Sequence, residues 1–203
     1  MSALSRLRLV KLSTRNVGPV SMDVNPGECV CISGASGTGK TLLLRAVADL
    51  DPHEGTAYLD NAECSSVTGP QWRRQVGLLP AESAWWHDRV GEHFNDVESS
   101  ALEELGFKPD VLRRRVSRLS TGERQRLALL RLLAQHPKAL LLDEPTASLD
   151  SANTRRVERL ISVYRKQNRA PVIWISHDAR QIKRVGNRHL RLIDGKLTSG
   201  RTR

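Results

Sequence analysis

Gly34-Ala35-Ser36-Gly37-Thr38-Gly39-Lys40-Thr41 governs how the rest of this chain is read, because it fits the pattern G-x-x-x-x-G-K-[ST] at every fixed position. Its glycines let the backbone turn left-handed without a Cβ penalty, so that successive N–H groups can curl around an anion. Lys40 adds a full positive charge, and Thr41 a hydroxyl of the kind that a Mg²⁺ bridging two phosphates takes. The flanks supply the context. Glu28-Cys29-Val30-Cys31-Ile32-Ser33 reads as a buried strand, and Thr41-Leu42-Leu43-Leu44-Arg45-Ala46-Val47-Ala48 as a helix whose N-terminus is partially positive. Strand, glycine-rich loop and helix in that order distinguish a phosphate cradle from a chance turn, so residues 34–41 are read as a nucleotide site.

Two further strands end in side chains that such a site needs. Ala139-Leu140-Leu141-Leu142-Asp143-Glu144-Pro145 is apolar at both parities, as in a central parallel strand covered on both faces, and it terminates in two carboxylates. Asp143 is placed to hold a Mg²⁺-bound water, and Glu144 to polarise the water that attacks a γ-phosphate. Pro171-Val172-Ile173-Trp174-Ile175-Ser176 repeats the buried pattern and ends at His177-Asp178. Ends of parallel strands on one edge face a common crevice, which puts His177 within reach of a γ-phosphate as a donor. Leu119-Ser120-Thr121-Gly122-Glu123-Arg124-Gln125-Arg126 places a serine and a glycine directly before a long helix, another anion site, with Leu127, Leu130 and Ala134 as the expected buried stripe. Ser148-Leu149-Asp150 reads as a turn capping a helix from Ala152 to about Gln167.

The remaining pattern predicts an α/β fold with a mostly parallel central sheet in one domain over residues 1–203. Leu7-Arg8-Leu9-Val10-Lys11-Leu12 and Val20-Ser21-Met22-Asp23-Val24 alternate as half-exposed strands do, predicting an antiparallel β layer before the loop. Thr56-Ala57-Tyr58-Leu59-Asp60 and Val76-Gly77-Leu78-Leu79-Pro80 read as further strands. A small helical subdomain is expected over 81–119, with apolar stripes in residues 97–105 and 110–116. Trp85 and Trp86 are adjacent, and an extended chain cannot turn both inward, which leaves one for a partner surface. The cluster Arg113, Arg114, Arg115 and Arg118 reads as a solvated face. The 203 residues carry a net charge of +10, which suits an acidic surface nearby, either nucleic acid or an anionic membrane leaflet. No stretch approaches the ~20 apolar residues of a membrane-spanning helix. Met1-Ser2-Ala3-Leu4-Ser5-Arg6 lacks the apolar core of a secretory signal, so a cytoplasmic location is expected. Cys29, Cys31 and Cys64 have no metal-ligand spacing and read as reduced core residues.

Taken together, the loop at 34–41, the signature at 119–125, the strand at 140–144, the turn at 148–150 and His177 resemble an ABC-type ATPase, the nucleotide-binding subunit of ATP-binding cassette transporters. Within that family the closest likeness is to small exporter-type cassettes, including a group linked to metal or iron export. The resemblance implies a P-loop NTPase fold, ATP and Mg²⁺ as cofactors, and a head-to-tail homodimer on ATP binding. In it, Gly34, Ala35, Ser36, Gly37, Thr38, Gly39, Lys40 and Thr41 of one copy and Ser120 and Gly122 of the other enclose each ATP. It also implies Thr41 and Asp143 at the metal, Glu144 as general base, His177 as γ-phosphate sensor, Lys40 as the catalytic cation and Asp150 near the dimer seam. Separate membrane-spanning transporter subunits would hold the chain on the inner face of the cell membrane.

The sequence departs from the family where Ala81, followed by Glu82, stands in place of the Gln that usually contacts Mg²⁺ and water. It departs again near Ser13-Thr14-Arg15-Asn16, where no aromatic residue is present to stack on adenine and Arg15 is the substitute, and in a short helical subdomain. A soluble ABC-type ATPase acting on nucleic acid or ribosomes is the alternative class. The chain has neither the long coiled-coil insertion nor the second cassette usual in those relatives. A slow ATP-sensing module, suggested by Ala81, is a third.

Overall fold

Alternation of apolar and charged residues leaves Leu7–Thr14 (β1) and Val17–Val24 (β2) with one buried face each. The computed structural model of the chain describes residues 6–95 and 97–200; residues 1–5, read above for a secretory core, lie outside them. β1 pairs antiparallel with β2 and with β4 (Glu54–Leu59), and β5 (Ala62–Glu63) completes the antiparallel layer. The second sheet contains β3 (Cys29–Ser33), β6 (Val76–Leu79), β7 (Ala139–Asp143), β8 (Val172–Ile175), β9 (Arg188–Ile193) and β10 (Lys196–Ser199). Its order is β10-β9-β3-β8-β7-β6, parallel from β9 to β6, with β10 antiparallel at the edge.

Every residue of β7 and β8 is buried, as the unbroken apolar runs predict for strands covered on both faces. Odd-numbered Leu141, Ile173 and Ile175 face the antiparallel layer and α1 (Lys40–Val47), in one core with Leu7, Leu9, Leu43 and Leu44. Even-numbered Leu140, Leu142, Val172 and Trp174 face α4 (Thr121–Leu133), α5 (Ser151–Gln167) and α6 (Ala179–Val185), in a second core with Leu127, Val157, Ile161 and Ile182. The period-two pleat thus puts two cores on one sheet. Cys29 and Cys31 share the second core, and all three cysteines are free and buried.

The region 81–119 is less helical than its stripes predict. α3 covers only Ser99–Glu104, and two 3₁₀ turns, Pro109–Arg113 and Val116–Arg118, take the place of a second helix. Gly106, at φ 79, ends α3, and Pro109 opens the first 3₁₀ turn, a position where its missing N–H costs nothing. Leu102, Leu105, Phe107 and Val111 are nonetheless buried, so the apolar positions face the core as expected although the backbone between them differs. Gly122 lies inside the first turn of α4 rather than before it. Ala134, expected in the buried stripe, is exposed, because the helix stops at Leu133 and Ala134 is its C-cap. α2 (Gly69–Gln75) is an element that the sequence reading does not contain. Thr68 and Gln71 form its capping box, and the buried Trp72 indole donates to the Val47 carbonyl at 2.9 Å. Among the described residues, no helix is long and apolar enough to cross a membrane.

Candidate functional site

The loop 34–39 leaves the C-terminal end of β3 and enters α1 at Lys40. Two of its glycines are sterically required. Gly34 and Gly39 sit at φ 157 and 97, and a Cβ would lie 2.6 Å from the Leu192 carbonyl oxygen at the first and 2.3 Å from Val17 Cγ2 at the second. The curl is thereby wedged between the hairpin β1–β2 and β9. Lys40 is buried, and its Nζ donates to the Gly34 and Ala35 carbonyls at 2.9 and 2.8 Å. An ammonium has a third N–H, so the charge is held at the mouth of the loop with one donor to spare.

β8 lies between β3 and β7, so three strand ends line one edge of the sheet. Thr41, in the first turn of α1, reaches across this edge and donates from Oγ1 to Asp143 Oδ2 at 2.7 Å. Asp143 is buried, and no lysine, arginine or histidine pairs with it among the described residues. A buried carboxylate without a cationic partner is costly unless a cation joins it. One carboxylate and one hydroxyl, with room for phosphate oxygens and water, are what a nucleotide-bound Mg²⁺ takes from a protein, so the residues fit that ion. No group of three or more His, Cys, Asp or Glu suits an all-protein metal cage among the described residues. Glu144, with φ 47, turns out of β7, and His177 Nε2 lies 2.7 Å from its Oε1. That contact puts a proton on Nε2.

A second group gathers at the N-termini of α4 and α5. Ser120 caps α4 through a reciprocal capping box: its Oγ accepts from the Glu123 N–H, and Glu123 Oε2 accepts from the Ser120 N–H. The Ser120-x-x-Glu123 spacing carries that signal. Arg114 pairs with Glu123 at 2.8 Å, so this member of the basic cluster is not merely solvated. Asp150 caps α5, its Oδ1 accepting from the Asn153 N–H at 2.8 Å. The buried Arg126 ties the two ends together, donating to the Gly122 carbonyl and, at 2.7 Å, to Asn153 Oδ1. Ser120, Gly122 and Asp150 share no hydrogen bond or ion pair with residues 34–41 among the described residues. Within one chain these are two separate groups. Ala81 and Glu82 are exposed just past β6, and Arg15 is exposed at the β1–β2 tip. Gln125 is a residue that sequence reasoning misses: its Nε2 donates to the Pro80 carbonyl at 3.0 Å and its Oε1 accepts from Ser83, pinning the Ala81 segment to α4. A glutamine inside an amphipathic helix carries no signal of that role.

A strand–loop–helix cradle on a parallel sheet, with a metal-fitting Thr–Asp pair beside it, defines a P-loop nucleotide hydrolase. The family model described as ABC transporter matches residues 17–147. Aliphatic sulfonates import ATP-binding protein SsuB 2 of Pseudomonas syringae pv. syringae (strain B728a) is 35% identical over 190 residues, spanning 92% of this chain and 67% of its own length. Probable iron export ATP-binding protein FetA of Escherichia coli (strain K12) is 31% identical over 176 residues, 80% of this chain and 78% of its own. Among solved structures, a post-hydrolysis dimer of the ATP-binding cassette MJ0796 bound to ADP and Pi superposes with a TM-score of 0.81 at 22% identity, covering 97% of this chain and 99% of that one. A bacterial Atm1-family ABC exporter with ATP bound gives 0.84 at 23% identity, covering 98% of this chain and 39% of that one. The chain belongs to the ABC transporter family, as an ATP-binding and ATP-hydrolysing subunit.

Proposed function

We propose that this chain is the motor of a transporter whose membrane-spanning subunits are separate chains, and that it works as a head-to-tail homodimer enclosing two ATP. The observation that carries the reading is the convergence on one sheet edge of Lys40, the Thr41–Asp143 pair and the Glu144–His177 pair. Lys40 and the N–H groups of 34–39 hold the β- and γ-phosphates. Thr41 and Asp143 would hold Mg²⁺, which would supply charge neutralisation at the phosphates. Glu144 accepts a proton from the attacking water, and His177 donates from Nε2 to the γ-phosphate, the same N–H that it here gives Glu144. Ser120, Gly122 and the N-terminus of α4, whose Ser120 N–H is held by Glu123 of the same chain, close over the phosphate held by the partner copy, with Asp150 at the seam. The chain as a whole forms one domain, docked on the inner face of the membrane through its partner subunits.

Light scattering tests the sandwich. Glu144→Gln keeps the shape of the side chain and removes the base, so turnover falls about 10²–10⁴-fold. With saturating ATP and Mg²⁺ the variant doubles in mass, since undegraded ATP stabilises the dimer that binds it. A chain that stays monomeric under those conditions contradicts the reading.

A further inference from the structure

Behind the Glu144–His177 pair lies a buried polar network that ATP binding does not call for. Gln181, on α6, is 2% exposed, and Ser176 and Glu158 are also buried. The Gln181 amide oxygen accepts from Ser176 Oγ at 2.8 Å, while its Nε2 donates to Thr146 Oγ1 at 2.9 Å and to Glu158 Oε1 at 3.0 Å. Arg184 holds Glu158 from the far side with two N–H donors, at 2.7 and 3.1 Å. Both amide hydrogens are used, and Glu158 fixes which way the amide points, because an amide oxygen against a carboxylate would be repelled. Ser176 directly precedes His177, and Thr146 follows Glu144 by two residues.

We propose that Gln181 is a positioning residue for hydrolysis, whose single buried amide ties the Glu144 loop to the His177 loop and so sets the separation of the two side chains. Glu144 sits at a positive φ, a conformation that persists only where the surroundings enforce it. The Thr146–Gln181 bonds are side-chain ties from that loop into the second core. Stability alone does not require them, since a fully buried polar network can be exchanged for apolar packing at little cost. Geometry does require them: displacing a reacting group by about 1 Å costs on the order of a hundredfold in rate.

The inference rests on the reading that Glu144 and His177 act at the γ-phosphate, so Glu144→Gln is assayed in parallel. In Gln181→Leu the tie is removed at similar volume. The expected result is a kcat for phosphate release lower by about ten- to a hundredfold, with the KM for ATP within twofold of wild type because the loop 34–41 is untouched. In Gln181→Glu a second carboxyl is buried against Glu158, and only its protonated form can donate to Glu158 while accepting from Ser176. Its kcat relative to wild type is therefore highest at the acid end of the assay range and falls as pH rises. Adding Glu158→Gln restores one amide facing one carboxylate and flattens the profile. A Gln181→Leu rate within twofold of wild type, or a KM that rises in step with the loss, overturns the inference. If that variant does not fold, a Gln181→Glu profile parallel to wild type overturns it instead. Glu144→Gln that still hydrolyses ATP removes the underlying reading, whereas an inactive Glu144→Gln beside an unaffected Gln181→Leu removes the positioning role alone.

Discussion

Two single positions decide most of what the site can do. Lys40 carries the only full positive charge of the loop 34–41 and keeps one donor free of the Gly34 and Ala35 carbonyls. Lys40→Ala is expected to abolish ATP retention in a filter-binding assay, and unchanged affinity would refute its role. Ala81 is the opposite case, a methyl group at the exposed end of β6, one strand beyond Asp143, where it can neither ligate a metal nor orient water. The missing polar contact predicts slow turnover. Ala81→Gln should raise steady-state phosphate release by roughly ten- to a thousandfold, the range a single such contact supplies. Glu82→Ala should lower it further if Glu82 substitutes at the metal. An Ala81→Gln that gains nothing would mean that other groups position the water.

At the scale of elements, the helices are fixed by different devices. The Asn153 N–H bond holds the Asp150 carboxyl below the usual carboxylate range. A depressed folded value means that the cap contributes stability above the unfolded carboxyl range, near pH ~3.9, and loses it as pH falls through the folded value. Asp150→Ala should therefore lower the melting temperature at neutral pH, and the gap from wild type should close below about pH 4. A gap independent of pH would show that the carboxylate is not what caps α5. α2 depends on packing instead. Trp72 is 1% exposed and spans from α2 to the end of α1, so Trp72→Ala should cost about 3–5 kcal/mol in urea denaturation, through its cavity and the lost bond to Val47.

At the scale of the molecule, the loop 34–41 and the group at Ser120, Gly122 and Asp150 share no hydrogen bond within one chain among the described residues, and in the proposed head-to-tail dimer a second copy would bring the unlike groups together. In the same proposal a different surface takes the membrane subunits. Trp86 is 64% exposed, and the Arg131 guanidinium lies over both indoles, 4.5 Å from the Trp85 ring centroid and 4.6 Å from that of Trp86. Burial lowers the His93 pKa, and the neutral ring accepts from the Trp86 and His87 N–H groups through Nε2, fixing the segment that presents the indole. An aromatic side chain held rigidly in water suits an interface anchor. Trp86→Ala should leave the ATPase rate of the isolated chain within twofold while cutting the membrane subunits that co-purify by roughly tenfold or more. Equal recovery would place the docking surface elsewhere.

The sequence by itself determined the elements whose chemistry is local. The loop 34–41, the fully apolar runs of β7 and β8 and the caps at Ser120 and Asp150 are all written in consecutive residues, because strand burial, glycine freedom and N-capping act over a few positions. It also ordered the strand ends closely enough to join Asp143, Glu144 and His177 in one crevice. The helix expected over 110–116 is a different matter from that over 97–105, which forms as α3. Its apolar stripe is real, but a short segment cannot nucleate a helix unaided, and packing accepts 3₁₀ turns there. What only the tertiary structure decided is which side chains meet from distant elements. That Thr41 touches Asp143, that Gln125 pins the Ala81 segment and that Gln181 bridges the Glu144 and His177 loops are contacts between residues far apart in the chain. No periodicity encodes them, since a polar residue on an otherwise apolar helix face looks the same whether it is an accident of composition or the centre of a network.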